Sequence, residues 1–183
     1  MMIIFVAEPN GKFFTELRGD PQSVLSQIPA GYQTTNLMPP RNTDYWNGTS
    51  WVDIGPAPQW YFQFDYNTKK WVDSRDLEQT KKEKWERVKL ERNTLELSGF
   101  VYNGNVYDSD MVSQIRIIGG AVLGAPTTWT LKNNETIDLT SEQLKELGQA
   151  LAQHVQGLHD RARAARININ ACVTADQVDT VNF

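Results

Sequence analysis

Residues 129 to 155 read WTLKNNETIDLTSEQLKELGQALAQHV, a hairpin pattern followed at once by a helix pattern. β-prone residues lie on both sides of Asn133 and Asn134, which predicts two short strands joined by a tight turn. Thr140 and Gln143 have the spacing of a capping box, which marks the start of a helix. The next apolar residues recur at helical spacing and predict one buried face. They are Leu144, Leu147, Leu151, Val155 and Leu158.

The rest of residues 98–183 repeats this combination of hairpin and helix. The stretch GFVYNGNVYDSD predicts a hairpin that leads into a helix N-cap at Asp108 or Asp110. The stretch MVSQIRIIGGAVLGA is apolar enough to predict a core helix, in which Gly119 and Gly120 permit a bend or close packing. We therefore expect a C-terminal α+β domain of hairpins and two main helices.

A polar helix is predicted before this domain, over residues 74–97. Ser74 is the expected N-cap, and no Gly or Pro interrupts the stretch. Acidic and basic residues are interleaved, and the apolar stripe is thin, so the helix either connects two parts or packs one narrow face against a neighbour. The stripe is too incomplete to establish a coiled coil, which needs sustained heptads.

The N-terminal part divides into two predicted segments of β-hairpins. Residues 1–40 form a small module in which IIFVA and FFTEL are strands around the turn EPNGK. A short helix with Asp20 as N-cap and Pro21 at its first position follows. Residues 41–73 contain two aromatic hairpins, separated by the stiff connector GPAP.

Aromatic side chains are concentrated at the turns of residues 41–73 and are the strongest candidates for function. Two interpretations stay open: the rings form the cores of small hairpins, or they form a surface that binds a partner or a carbohydrate. Both can apply, since so small a module cannot bury many large rings by itself. The candidate interface residues are Tyr45, Trp46, Trp51, Trp60, Tyr61, Tyr66 and Trp71.

Composition excludes several classes of protein. The 183 residues carry a net charge of -4, which argues against nucleic acid as the main partner. A single cysteine excludes an intrachain disulfide framework and fits a reducing cytosol. The N-terminal MMIIFVA is too short for a signal peptide or a membrane span, so we expect synthesis in the cytoplasm without membrane insertion.

No pattern in the sequence predicts catalysis, a cofactor or a metal. His154 and His159 are five residues apart, which is the wrong spacing for a zinc-binding helix pair, and exposed helix histidines are the simpler interpretation. The acidic run at 108–110 precedes a helix and is better explained by capping than by a cation. No nucleophile motif or phosphate-binding loop is present. We therefore expect a protein that is not an enzyme.

The C-terminal motifs together resemble a known family. Their order is a Trp helix WERVKLER, a hairpin GFVYNGNVYDSD, SQIRI, and a strand WTLKN before the helix start LT. Over roughly residues 80 to 183 this resembles a domain of unknown function found at the C-terminus of small tail-fibre and tail-assembly proteins of tailed bacteriophages. The family often ends in a Trp-containing segment; this chain ends in VNF, and Phe183 is expected to be buried in its place.

The resemblance implies a context and no chemistry. The expected function is a non-enzymatic structural part of a phage tail, bound to a tail-fibre or baseplate protein and present in several copies or as a homo-oligomer in the virion. A tail-fibre assembly chaperone is the first alternative. A protein that binds a host-surface glycan through its Trp and Tyr rings is the second.

Overall fold

The computed structural model describes residues 1–183 and contains five helices and eleven short strands. All paired strands are antiparallel, and most lie in two-stranded hairpins. The predicted α+β class is confirmed. The chain divides into two compact units, Met1–Ser74 and Arg75–Phe183, which we call unit 1 and unit 2.

Unit 1 begins with a three-stranded sheet in the order β2-β1-β3, formed by β1 (Met2–Ala7), β2 (Phe13–Gly19) and β3 (Gln33–Thr35). Helix α1 (Pro21–Ser26) lies between β2 and β3; as predicted, it has Asp20 as N-cap and proline at its first position. Alternate β1 side chains pack against α1, because successive side chains of a strand point to opposite faces. The resulting small core is centred on Ile4, Val6 and Val24.

Two hairpins complete unit 1. The first pairs β4 (Tyr45–Trp46) with β5 (Trp51–Val52), and the second pairs β6 (Phe62–Asp65) with β7 (Lys70–Asp73). Both turns that were predicted from aromatic residues around polar ones are therefore present. The strands are too short to be stable as isolated hairpins, so side-chain contacts must hold them in place.

Unit 2 is built on two packed helices, α2 (Leu77–Glu96) and α4 (Ser141–Ala171). The predicted N-cap of α2 was wrong: Asp76 accepts from the backbone of Gln79, while the Ser74 hydroxyl donates to the Tyr61 carbonyl. The predicted capping box of α4 is confirmed. Helix α2 packs against α4 and α5 (Ala175–Thr180), and so belongs to unit 2.

Two hydrophobic clusters form the core of unit 2. In the first, the leucine stripe of α4 packs on the hairpins β8–β9 (Phe100–Tyr102, Asn105–Tyr107) and β10–β11 (Thr127–Thr130, Thr136–Leu139). Tyr107 and Leu144 are fully buried there. In the second cluster, Val88 of α2 contacts the alanines of the last turns of α4, and Phe183 is partly buried against it. The Arg161 guanidinium lies 4.5 Å from the Phe183 ring centre.

Helix α3 (Met111–Leu123) is the main departure from the sequence expectations. It was predicted as a core helix, but only Ile117 is buried. Its N-cap is Asp110 and its C-cap is Gly124 in the left-handed conformation. The prediction was wrong because apolar composition does not tell whether a helix is buried on all sides or exposes one apolar face.

Candidate functional site

The seven aromatic residues predicted as an interface all lie in unit 1, and six of them are half-buried or buried. Their rings contact one another across the hairpins. Trp46 and Trp51 lie 5.4 Å apart, and Phe64 lies 6.0 Å from Tyr45 and 5.5 Å from Trp71. Edge-to-face and offset pairs of this kind contribute about 0.5–1.5 kcal/mol each beyond the area they bury. The rings therefore hold the two hairpins to each other.

Polar groups of the same rings are bonded to loop carbonyls. The indole N–H of Trp51 donates to the Leu37 carbonyl at 2.6 Å, and that of Trp71 donates to the Ile54 carbonyl at 3.0 Å. The Tyr66 hydroxyl donates to the Thr43 carbonyl at 2.8 Å. These bonds fix three irregular segments whose carbonyls lack partners in regular structure.

The first hairpin is fastened to the N-terminal sheet at Gly11. The Trp46 amide donates to the Gly11 carbonyl at 2.8 Å, and Gly11 has a positive φ of 83°. A Cβ at Gly11 would lie 2.3 Å from the Trp46 carbonyl oxygen, so no other residue fits without moving the backbone. Lys69 adds a second tie: its ammonium donates to the Asn10 carbonyl and lies 4.4 Å from the Tyr45 ring centre.

A buried carboxylate beside these rings was missed by the sequence analysis. Asp44 is 1% exposed, and one of its oxygens lies 3.5 Å from the Arg41 guanidinium. Burial, together with the charges of Asp44 and Glu8, raises the pKa of the Tyr66 phenol. No sequence signal marked Asp44, because an acid before an aromatic strand is ordinary at a turn.

Trp60 differs from the other six residues. It is 88% exposed, and its ring lies 5.3 Å from that of Tyr61 in an edge-to-face contact. It follows the GPAP connector and lies in a turn, two residues before β6 begins at Phe62. A carbohydrate-binding surface requires several exposed tryptophans in one groove. In the structure Trp60 is exposed, whereas Trp46 is only 8% exposed.

The other residues that the sequence analysis considered as possible sites are explained by capping or by packing contacts. Asp110 caps α3, and its pKa is lowered by hydrogen bonds from Ser113 and Val112. The prediction that both histidines are exposed was wrong: each is half-buried, with the His154 ring stacked 5.7 Å from Phe100 and His159 3.3 Å from Glu96. No group of three or more His, Cys, Asp or Glu side chains is placed to hold a metal ion.

The fold and the rings together define a two-unit α+β protein with an aromatic hairpin unit and a helical unit. Residues 79–182, more than half of the chain, match a family described as Domain of unknown function (DUF4376), and the chain belongs to that family. The match covers nearly all of unit 2. Neither a curated protein nor a solved structure matches the chain. No helix combines the length and the apolar content that a membrane span requires.

Proposed function

We propose that this protein is a non-enzymatic structural component of a bacteriophage tail, a tail-fibre or baseplate-associated protein that acts by protein–protein attachment. The observation that carries the attachment is Trp60, which is 88% exposed in a unit where the other six candidate rings are engaged. The tail context is supported by the order of the C-terminal motifs, which resembles that of tail-fibre and tail-assembly proteins.

Trp60 has the properties of an interface anchor. Exposed tryptophan buries a large area when a partner covers it, and Trp is enriched among residues that dominate binding energy. The neighbouring Tyr61 ring supports one side of the indole, which limits the entropy lost on binding. The stiff proline-containing connector before it reduces that loss further.

The first experiment is quantitative mass spectrometry of purified phage particles that carry this gene. The structural function predicts a fixed integer ratio of this chain to a known tail protein. Absence or a trace amount would overturn it and favour the assembly chaperone, with Trp60 as a client-binding residue.

A matched pair of variants then tests the attachment surface. Trp60→Ala is expected to reduce incorporation into particles at least about tenfold, since anchors of this kind cost about 2 kcal/mol or more when truncated. Met38→Ala, which removes another side chain of unit 1 that is 73% exposed, is the control and is expected to leave incorporation unchanged. Equal incorporation of both variants would rule out Trp60 as the anchor.

A glycan-binding assay tests the second alternative. Binding of soluble host-surface glycan by the wild type, lost in Trp60→Ala, would instead identify a glycan-binding protein.

A further inference from the structure

Helix α3 exposes an apolar face that its own unit does not cover. Six of its thirteen residues are large apolar side chains with 55 to 82% of their surface exposed. They are Met111, Val112, Ile115, Ile118, Val122 and Leu123. Scattered exposed apolar residues are ordinary on protein surfaces, but a contiguous face on one helix marks an interaction site.

Four of these residues form one straight seam. Met111, Ile115, Ile118 and Val122 are separated by steps of four, three and four residues, so at about 100° per residue they lie within roughly 60° of one another. This is the spacing of the a and d positions through which two helices interlock. Gly119 borders the seam, and a Cβ placed there would meet no other atom within 4 Å, so a second backbone can approach closely.

The seam continues into a shallow groove between α3 and α4. Ile118, Ala121 and Val122 line one wall, and Gly148 and Ala152 line the other. The groove is mostly apolar, and Lys145 is its only charged residue. A partner that packs on the seam therefore contacts small side chains in the groove and a single charged residue, Lys145.

The exposed area agrees with that of a stable dimer interface. From their fractional exposures, the four seam residues present roughly 500 Å² and the flanking Val112 and Leu123 roughly 250 Å² more, against about 800 Å² per partner in an interface of standard size. A small ligand would cover only a fraction of this face. The area therefore fits a protein surface as its occupant.

We propose that this face binds a second copy of the same chain, with the two α3 helices antiparallel about a twofold axis between Ile115 and Ile118. The step pattern four, three, four reads the same in both directions, so a reversed copy places Ile115 opposite Ile118 and Met111 opposite Val122. Such self-complementarity is what an isologous interface requires. Antiparallel packing also sets the positive end of each helix beside the negative end of the other. The proposal is independent of the tail function.

Sedimentation equilibrium of the full chain tests the proposal. The wild type is expected to have twice the 20.8 kDa mass of one chain at ~10 µM. Ile118→Glu is expected to weaken the dimer at least about 100-fold, because it buries unpaired carboxylates at the axis. Leu90→Glu is the matched control, since Leu90 is also on a helix and 69% exposed, and it should remain dimeric.

Cysteine crosslinking tests the antiparallel arrangement in a Cys172→Ser background. Ile118→Cys is expected to form an intermolecular disulfide, because its two copies are offset by only about 5 Å along the axis, whereas copies of Met111→Cys are about 17 Å apart and should not react. Equal crosslinking at both positions would overturn the antiparallel arrangement.

The sedimentation experiment can overturn the dimer itself. A monomeric wild type at ~100 µM, or equal dissociation of Ile118→Glu and Leu90→Glu, would do so. Circular dichroism of each variant distinguishes lost dimerisation from lost folding.

Discussion

Ser109 shows how a single residue joins three elements of unit 2. It is fully buried, and its hydroxyl accepts from the Gly99 amide at 2.8 Å and donates to the Glu96 carbonyl. Its own carbonyl accepts from the Gln114 side chain at 2.9 Å. The residue thus links the end of α2, the start of β8 and the first turn of α3. Within the run DSD at 108–110, Ser109 therefore links these elements and Asp110 caps α3.

We expect Ser109→Ala to destabilise the protein by about 1–3 kcal/mol, since it leaves a backbone amide and a carbonyl without partners in a place that water does not reach. Chemical denaturation monitored by far-UV circular dichroism measures the change. Ser98→Ala is the control, because Ser98 is exposed and its hydroxyl donates to the nearby Leu95 carbonyl at the end of α2, and its cost should stay below about 0.5 kcal/mol. Equal effects of the two substitutions would contradict this account of Ser109.

The Tyr102 phenol predicts how stability changes at alkaline pH. Its hydroxyl donates to the Glu146 carboxylate, and this hydrogen bond, with smaller contributions from burial and from the negative charge, raises the pKa of Tyr102 to about 12. An unfolded tyrosine has a pKa near 10. Because the folded value is the higher one, the stabilisation is complete below about pH 10 and is lost between about pH 10 and 12.

We expect the free energy of unfolding to fall less steeply above pH 10 in Tyr102→Phe than in the wild type, because phenylalanine has no proton to lose. Thermal unfolding between pH 8 and 11.5 measures the two slopes. Some slope remains in the variant, since burial also raises the pKa of Tyr107. Identical slopes would show that Tyr102 ionises alike in the folded and unfolded chains.

Some of the contacts made by single residues could be predicted from the sequence. Thr140, Asp20 and Asp110 were all recognised as N-caps or candidates, because capping depends on residues three positions apart. The half-burial of His154 depends on its contact with Phe100, a residue far away in the chain. A single sequence carries no local signal for such contacts.

At the scale of elements, the contact between α3 and α4 is set by small residues. A Cβ at Gly148 of α4 would lie 2.9 Å from the Ala121 Cβ of α3, whereas a Cβ at Gly157, nine residues later on the same helix, would meet nothing within 4 Å. Close approach at Gly148 is therefore part of how α3 sits on α4. Gly157 has no such role.

We expect Gly157→Ala to stabilise the protein by about 0.5–1 kcal/mol, since alanine restricts the unfolded chain and has the better helix propensity. Gly148→Ala gains the same propensity, but it must separate the two helices and is expected to be neutral or destabilising. Chemical denaturation of both variants measures the difference. A similar gain from both would mean that α3 moves on α4 without cost.

The elements themselves were largely predictable, and their burial was less so. The hairpins and the apolar stripe of α4 could be predicted because apolar residues recur about every 2 positions in a strand and about every 3.6 in a helix, which is a local property of the sequence. The position of α3 does not follow from its period, because an apolar face is the same in sequence whether its own chain or another covers it. The seven aromatic residues show the same limit: the sequence located the cluster, but only the structure separates the exposed Trp60 from the half-buried or buried six.

At the scale of the molecule, each unit has its own hydrophobic core and its own kind of stabilisation. Unit 1 combines a small cluster around Ile4, Val6 and Val24 with the aromatic hairpins. Unit 2 has two clusters, and it contains four of the five helices. Loss of structure in unit 1 should therefore change the far-UV helix signal little, which makes the two units separable by experiment.

Trp46→Ala is expected to unfold unit 1 and to leave unit 2 folded. Trp46 is 8% exposed and contacts Trp51, so removing its ring opens a cavity that costs about 3–5 kcal/mol, which is a large share of the stability of a domain of this size. Near-UV circular dichroism should lose the signal of the unit 1 tryptophans and keep that of Trp85 and Trp129, which pack against the clusters of unit 2. The far-UV signal at 222 nm should be kept, and the fragment 75–183 should give the same far-UV helix signal. Trp60→Ala is the matched control, because a side chain that is 88% exposed has little packing to lose, and its thermal unfolding should match the wild type. If Trp46→Ala also removes the 222 nm signal, the two units fold as one cooperative body.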